Sequence, residues 1–270
     1  MQLSVEMQIP LIESFLRDLG QVLVTSTVTE LREKAPLDVV TELDHRAEAA
    51  VTRFLSEHFP FDSVLAEEAA NSVTYAERIW ILDPLDGTVN RASGIPFFAI
   101  SLALFEQGTP ELGFIYDPTH NEMFFARRGH GAYLNGVPIR VAENNVWTLA
   151  LTSATVQKLA TETPQALATL LEQHGKLRGL GAQALQLAYV AAGRIAAAVS
   201  VETKLWDNAA GALLVQEAGG VYCNLERRNP FPLQPGSAAL RGGTDPCIAA
   251  APWMLDAIYP LLSALRRKVT

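Results

Sequence analysis

The chain has 270 residues, 49% of them hydrophobic and 19% charged, a balance that fits one large globular domain or two and excludes disorder as a starting point. Its formal net charge of −8 argues against a nucleic-acid-binding surface, since Arg127-Arg128, Arg227-Arg228 and Arg266-Arg267-Lys268 are too short to reverse it. Met1 to Ile9 has no basic stretch leading into an apolar run, and no segment approaches the roughly 18 apolar residues of a membrane span. Neither a targeting signal nor a membrane partner is therefore expected, and the expected location is cytoplasmic. Cys223 and Cys247 read as two buried thiols in a reducing compartment, with a disulfide as the other reading. The five histidines form no His-Glu-x-x-His pair, and there is no Gly-x-Ser-x-Gly elbow, so neither a zinc site nor a serine hydrolase is indicated.

In chain order, Ile12, Phe15, Leu16, Leu19 and Leu23 follow the spacing of an amphipathic helix. Glu30 to Pro36 is charged and reads as an exposed connection. A second helix follows Asp38 to Asp44, with Leu43, Ala47, Ala50, Val51, Phe54 and Leu55 as its stripe, and the two helices are expected to pack as a pair. Ser63 to Ala66 is a short strand closing on Glu67-Glu68, from which an acidic loop runs on to Asn71-Ser72. Ile79 to Leu82 is a buried strand that delivers Asp83, where open α/β sheets tend to place ligands, and Pro84 is expected to stop it. Three strand-like runs, Phe97 to Phe105, Leu112 to Tyr116 and Met123 to Ala126, predict an antiparallel meander. Asn135-Gly136 predicts a hairpin between flanking apolar triplets.

Around Glu143 to Thr148 the composition shifts, dividing the chain into an α+β unit over 1–146 and an α/β unit over 147–270. The second unit has a strand at Thr148 to Thr152 and a helix opened by Thr163-Pro164 and stopped at Gly175. Another helix carries Ala184, Leu187, Ala188 and Ala191, followed by a strand at Ile195 to Val201. A helix then begins near Asp207, with strands at Val221 to Cys223 and Cys247 to Ala250 and a closing helix from Pro252 to Arg267.

Each acid in this scheme has a plain structural explanation. Asp44 sits in a helix's first turn, Asp86-Gly87 is an ordinary turn pair, and Asp207 reads as an N-cap. Yet Asp44, Glu67, Asp83, Asp86 and Asp207 all stand at ends of elements, where segments distant in sequence converge. Five such carboxylates in one cleft require cations, and two or three Mg²⁺ ions with oxygen ligands would satisfy them.

The motifs around these acids resemble the inositol monophosphatase family. Trp80 to Asn90 is similar to its first signature, and Trp206-Asp207 through Gln216-Glu217-Ala218-Gly219-Gly220 to its second. Asp38 to Asp44 resembles the segment that opens the family's second helix, and Ala66-Glu67-Glu68 its Gly-Glu-Glu turn. The resemblance runs from about Pro36 to the final helix. It implies a layered α-β-α-β-α sugar-phosphatase fold, a homodimer, a small phosphorylated substrate, Mg²⁺ and inhibition by lithium. It further implies that Glu67, Asp83 and the Leu85 carbonyl hold one Mg²⁺, that Asp83, Asp86 and Asp207 hold a second, and that a third lies near Glu67. By the same resemblance Asp44 and Thr88 orient and deprotonate the attacking water, and Glu68 supports them from behind the ligands. Gly87 and Thr88 amides bind the phosphate, while Asp86, Gly181, Gln183, Glu202 and Asp207 contact the alcohol. The chain departs from the family at Ala66, at the short link from Glu68 to Arg78, at Lys34, at Gln183 where small residues are usual, and in the spacing of Glu202 from Asp207. The implied activity is hydrolysis of inositol monophosphate, with histidinol phosphate, a fructose bisphosphate or an adenosine bisphosphate as alternatives. A transcription-associated binding role is the alternative of another class.

Overall fold

Apolar side chains sort the chain into five layers in the computed structural model, which describes residues 5–28, 30–35, 38–68, 76–143 and 147–266. The side chain of Lys34 and the segment Asn71-Ser72 lie outside the described residues. The first layer holds helices α1 (Val5–Thr25) and α2 (Glu42–His58), joined through strands β1 (Leu31–Ala35) and β2 (Asp38–Thr41). Ile12, Leu16, Leu19 and Leu23 are buried at the expected spacing, and Phe15 stacks on Phe54 of α2 at 4.1 Å. The expected exposed connection from Glu30 to Pro36 is corrected: Glu30, Arg32 and Glu33 are exposed, but the backbone of Leu31–Ala35 pairs antiparallel with β2. The Val39-Val40 stretch requires a ladder partner whatever the side chains opposite it, because backbone polar groups must be paired.

The second layer is a seven-stranded sheet with its strands side by side in chain order: β3 (Ser63–Ala66), β4 (Arg78–Asp86), β5 (Ala99–Glu106), β6 (Thr109–Asp117), β7 (Glu122–Arg127), β8 (Gly131–Leu134) and β9 (Val137–Ile139). Only β3 and β4 are parallel. The helical turn α3 (Thr88–Ala92) links β4 to β5. The predicted meander and hairpin are both present, and Asn135 and Gly136 have φ of 48° and 78°, the left-handed pair that a two-residue hairpin of type I′ requires. Side chains on β4 alternate: Trp80 and Leu82 pack on α1 and α2, while Ile79 and Ile81 face the opposite side.

The rest of the chain runs β10 (Thr148–Leu151), α4 (Ser153–Glu162), α5 (Pro164–Thr169), β11 (Lys176–Arg178), α6 (Gln183–Ala191), β12 (Ala197–Ser200), α7 (Leu205–Glu217), β13 (Val221–Cys223), β14 (Cys247–Ala250) and α8 (Pro252–Ile258). The closing helix is shorter than expected and continues as a 3₁₀ stretch from Tyr259, where Pro260 removes a donor and crowds the preceding turn. The strands form a mixed sheet ordered β11-β10-β12-β14-β13. Helices α6 and α7 lie between the two sheets and are apolar on nearly all sides for that reason. Ala198, Cys247 and Ala249 of the second sheet face these helices, whereas Ala197, Val199, Ile248 and Ala250 face the outer layer containing α8. The order is therefore α-β-α-β-α. Close approach depends on missing side chains: a Cβ on Gly113 would stand 2.9 Å from the Ala210 carbonyl of α7.

The last turn of α7 is tied to the first sheet by Glu217, whose two oxygens accept from the Gly129 and Gly131 amides, each at 2.8 Å. Replacing Glu217 with Ala leaves the half-buried Gly131 amide without its acceptor, while water takes up the exposed Gly129 amide, and is expected to cost about 1 kcal/mol. The melting temperature should fall by about 2–4 °C per kcal/mol lost, read by calorimetry against wild type.

Candidate active site

The site is built where β4 breaks its own register. Asp83 pairs with Ser101 and Asp86 with Ala99, so β4 spends one residue more than β5 between the two pairs. Residues three apart in a regular strand point to opposite faces, and the inserted residue re-aims them. Both carboxylates consequently line the same cleft of about 380 Å³. The strand does not stop at Pro84 as expected. It bulges there, at a position where a residue without an N–H costs no ladder bond. The Leu85 amide donates to Asp83 Oδ1 at 3.0 Å, and Leu85 also lines the cleft.

Gly87, at φ 95°, turns the chain into α3 and brings Thr88 to the cleft. The Thr88 hydroxyl lies 2.8 Å from Asp44 Oδ1 and 3.1 Å from the Leu85 carbonyl. The other oxygen of Asp44 accepts from the Thr41 amide at 2.8 Å and hydroxyl at 2.5 Å, which closes a capping box on α2. Asp44 thus serves its helix with one oxygen and the site with the other. Asp207 is not the N-cap of α7. That position is Lys204, and Asp207 stands three residues inside, accepting the Lys204 amide at 2.7 Å.

Glu67, just past the end of β3, lines the cleft, as do Gly181, Gln183 and Glu202. Glu68 is not among the cleft-lining residues, and its amide donates to Glu48 Oε2 at 2.9 Å. Asp86 is clamped at the opening of α6, where the amides of Gln183 and Ala184 donate to its two oxygens at 2.9 and 2.7 Å.

Burial and mutual repulsion dominate the electrostatics. Asp83 is 2% exposed, and desolvation, followed by the charges of Glu67, Asp86 and Asp207, pushes its carboxyl well above the usual range. Asp86 is pushed up to about 7 by desolvation, against the pull of the α6 amides. Asp207 is likewise raised, first by desolvation and then by Asp86, and it shares a hydrogen bond with Asp83. Among the described residues no three acidic, His or Cys side chains already stand in metal-holding geometry, their oxygens being turned to backbone donors and to one another. The donor set nonetheless fits hard divalent cations. It consists of carboxylates and a carbonyl, is acidic beyond what the local amides offset, and is without nitrogen or sulfur ligands.

Several residues of the site escape sequence reasoning. Asn90 donates to the Phe97 and Leu180 carbonyls at 2.8 and 2.7 Å and so holds the loop carrying Gly181 against α3. Thr152 and Ser153 reach the cleft from the end of β10, and Gln186 and Thr203 line its floor. The end of a recognisable apolar strand was a usable signal for the first pair. Nothing local marked the others.

Two sheets with helices on and between them, and an acid-lined cleft at the end of β4, define the sugar-phosphatase fold class. The chain belongs to the inositol monophosphatase family, whose sequence model matches residues 5–257. That membership makes it a phosphatase of this superfamily. Similar proteins include the Nus factor SuhB of Pasteurella multocida, 35% identical over 85% of this chain and 86% of that one. The fructose-1,6-bisphosphatase/inositol-1-monophosphatase of Thermotoga maritima is 38% identical over 68% of this chain and 70% of its own. Among solved structures, a Thermotoga maritima IMPase superposes with a TM-score of 0.82 at 29% identity, covering 96% of this chain and 97% of that one. An IMPase/NADP phosphatase solved with Mg²⁺ and phosphate gives 0.79 at 26% identity, covering 97% of each.

Proposed function

We propose that the chain is a Mg²⁺-dependent phosphomonoesterase acting on a small phosphorylated alcohol, with inositol monophosphate as the leading substrate. The observation that carries this reading is the convergence of Glu67, Asp83, Asp86 and Asp207 on one cleft beside the Asp44–Thr88 hydrogen bond. Glu67, Asp83 and the Leu85 carbonyl would hold one ion, Asp83, Asp86 and Asp207 a second, and a third would lie near Glu67. When bound, such ions lower the pKa of an attached water and offset the charge of the phosphoryl group.

The residues of the chain do the rest. Thr88 gives its hydroxyl proton to the hydrogen bond with Asp44 Oδ1, which leaves its lone pairs to accept from the attacking water. Asp44 is the base that receives the proton passed along that contact. The Gly87 and Thr88 amides bind the phosphate oxygens, and Glu68 supports the site from outside the cleft. Gly181, Gln183 and Glu202, with Asp86 and Asp207, form the wall that meets the alcohol. Residues 1–146 supply most of the ligands, while 147–270 supply Asp207 and the alcohol wall. The free, buried thiols of Cys223 and Cys247 support a reducing, cytoplasmic setting. A homodimer and inhibition by lithium complete the reading, and the staphylococcal inositol monophosphatase solved as a LiCl-soaked inhibitory complex supports the second of these.

The expected result is phosphate release from inositol monophosphate that requires Mg²⁺ and stops with chelator. Comparing kcat/KM across inositol, histidinol, fructose and adenosine phosphates selects among the alternatives. The SuhB relatives favour a second reading, a regulatory binding role in transcription. Absence of phosphate release from every substrate, with and without Mg²⁺, would leave only that reading.

A further inference from the structure

Through the cleft wall runs a chain of side-chain amides, of which the reaction above uses only Gln183. Asn208, fully buried on α7 beside Asp207, donates from Nδ2 to the Asp245 carbonyl at 2.7 Å. The same nitrogen lies 3.1 Å from the Asp245 carboxylate and from the Thr203 hydroxyl. Asn208 Oδ1 accepts from Gln183 Nε2 at 3.1 Å and from the Cys247 thiol at 3.4 Å. Gln183 Oε1 accepts in turn from Gln186 Nε2 at 3.0 Å. The direction of this chain is forced. A backbone carbonyl only accepts, so Asn208 must turn Nδ2 to Asp245 and Oδ1 to Gln183, which must answer with Nε2. The order holds whatever the charge on Asp245.

Both ends of the central link carry site acids. Gln183 opens α6, where its own amide and that of Ala184 clamp Asp86, and Asn208 directly follows Asp207. The side-chain amide of Gln183 is bonded on both its atoms within the protein wall, so it meets an alcohol as a fixed surface while its polar atoms hold the wall together. One buried amide–amide bond therefore joins the segment whose amides clamp Asp86 to the segment that presents Asp207.

We propose that Asn208 and Gln183 are positioning residues whose mutual hydrogen bond sets the separation of the Asp86 and Asp207 carboxylates, and with it the affinity of the cleft for divalent ions. The inference rests on the metal-dependent reading above. Partners that orient ligands from behind commonly carry about 10–100-fold of metal affinity.

The test titrates Mg²⁺ calorimetrically into metal-free wild type, Asn208→Leu, Gln183→Leu and the double variant, with melting in chelator as the check on folding. Each single variant is expected to weaken Mg²⁺ binding roughly tenfold. The double variant should lose no more than the worse single one, since both changes break the same bond. In Asn208→Leu, which lies outside the cleft lining, kcat at saturating Mg²⁺ should change little while the Mg²⁺ concentration for half-maximal rate rises. A folded Asn208→Leu with wild-type Mg²⁺ affinity overturns the proposal, and so do two losses that add. Should Asn208→Leu not fold, Gln183→Met, which keeps length and removes only the amide, carries the same comparison. Wild type that binds no Mg²⁺ overturns the metal-dependent reading and this proposal together, whereas wild type that binds while the variants bind equally well overturns this proposal alone.

Discussion

Replacing Asp83 with Asn is expected to abolish turnover while leaving the fold intact. Asp83 is the carboxylate that the proposed ligand set shares between two ions, so its loss removes charge stabilisation at the attacking and leaving oxygens together. A fall in kcat/KM on the order of 10³ or more is expected, which corresponds to about 4 kcal/mol of transition-state stabilisation. The structural cost runs the other way. Asp83 is buried and pushed toward its neutral form by desolvation and by Glu67, Asp86 and Asp207. A neutral amide of nearly the same shape relieves that repulsion, and the Leu85 amide still finds an oxygen to bond. The variant should therefore melt at or above the wild-type temperature in chelator. Near-wild-type phosphate release from it would remove the bridging role of Asp83.

Metal-free protein should lose stability as pH rises from about 4 to about 7, and Mg²⁺ should reverse the loss. A carboxyl whose pKa is higher in the folded chain than in the unfolded one favours folding fully below the unfolded value. It loses that contribution as pH rises through the folded value. For Asp86 the window runs from the ordinary carboxyl value of 3.8 to about 7, with desolvation as the principal cause. Asp83 and Asp207 are displaced in the same direction. The loss is on the order of a few kcal/mol, at about 1.4 kcal/mol for each tenfold change in proton affinity. Divalent ions that take the place of those protons stabilise the folded state more at neutral pH than in acid. Melting temperatures at pH 5 and pH 8, each with chelator and with Mg²⁺, give the comparison. The gain from Mg²⁺ should be larger at pH 8 and smaller in Asp86→Asn. Equal gains at both pH values would contradict the assignment of these acids to a cation site.

Some of this site was open to a reader of the letters alone, and the reason is local. Asn135-Gly136 announces its hairpin because few residue pairs tolerate two successive positive φ angles. Trp80 to Leu82 announces a buried strand because the apolar run must be covered on both faces, as it is by α1 and α2 on one side and α6 and α7 on the other. The first-turn reading of Asp44 and its proposed place in the site are compatible, since the two oxygens of one carboxylate meet the two partners separately.

What the sequence determined by itself was most of the strands, helices and tight turns, β1, α4 and β11 excepted, and which acids stand at their ends, because torsional preference and hydrophobic spacing act over a few residues. Only the tertiary structure decided that Asp83 and Asp86 share a face, since that depends on the register of β4 against β5 and hence on residues far along the chain. It alone decided that β1 pairs with β2, that α6 and α7 are enclosed between two sheets, and that Asn208 meets Gln183. Those contacts arise when separate apolar faces are buried against one another, and no local preference encodes which buried polar groups will then be left to find each other.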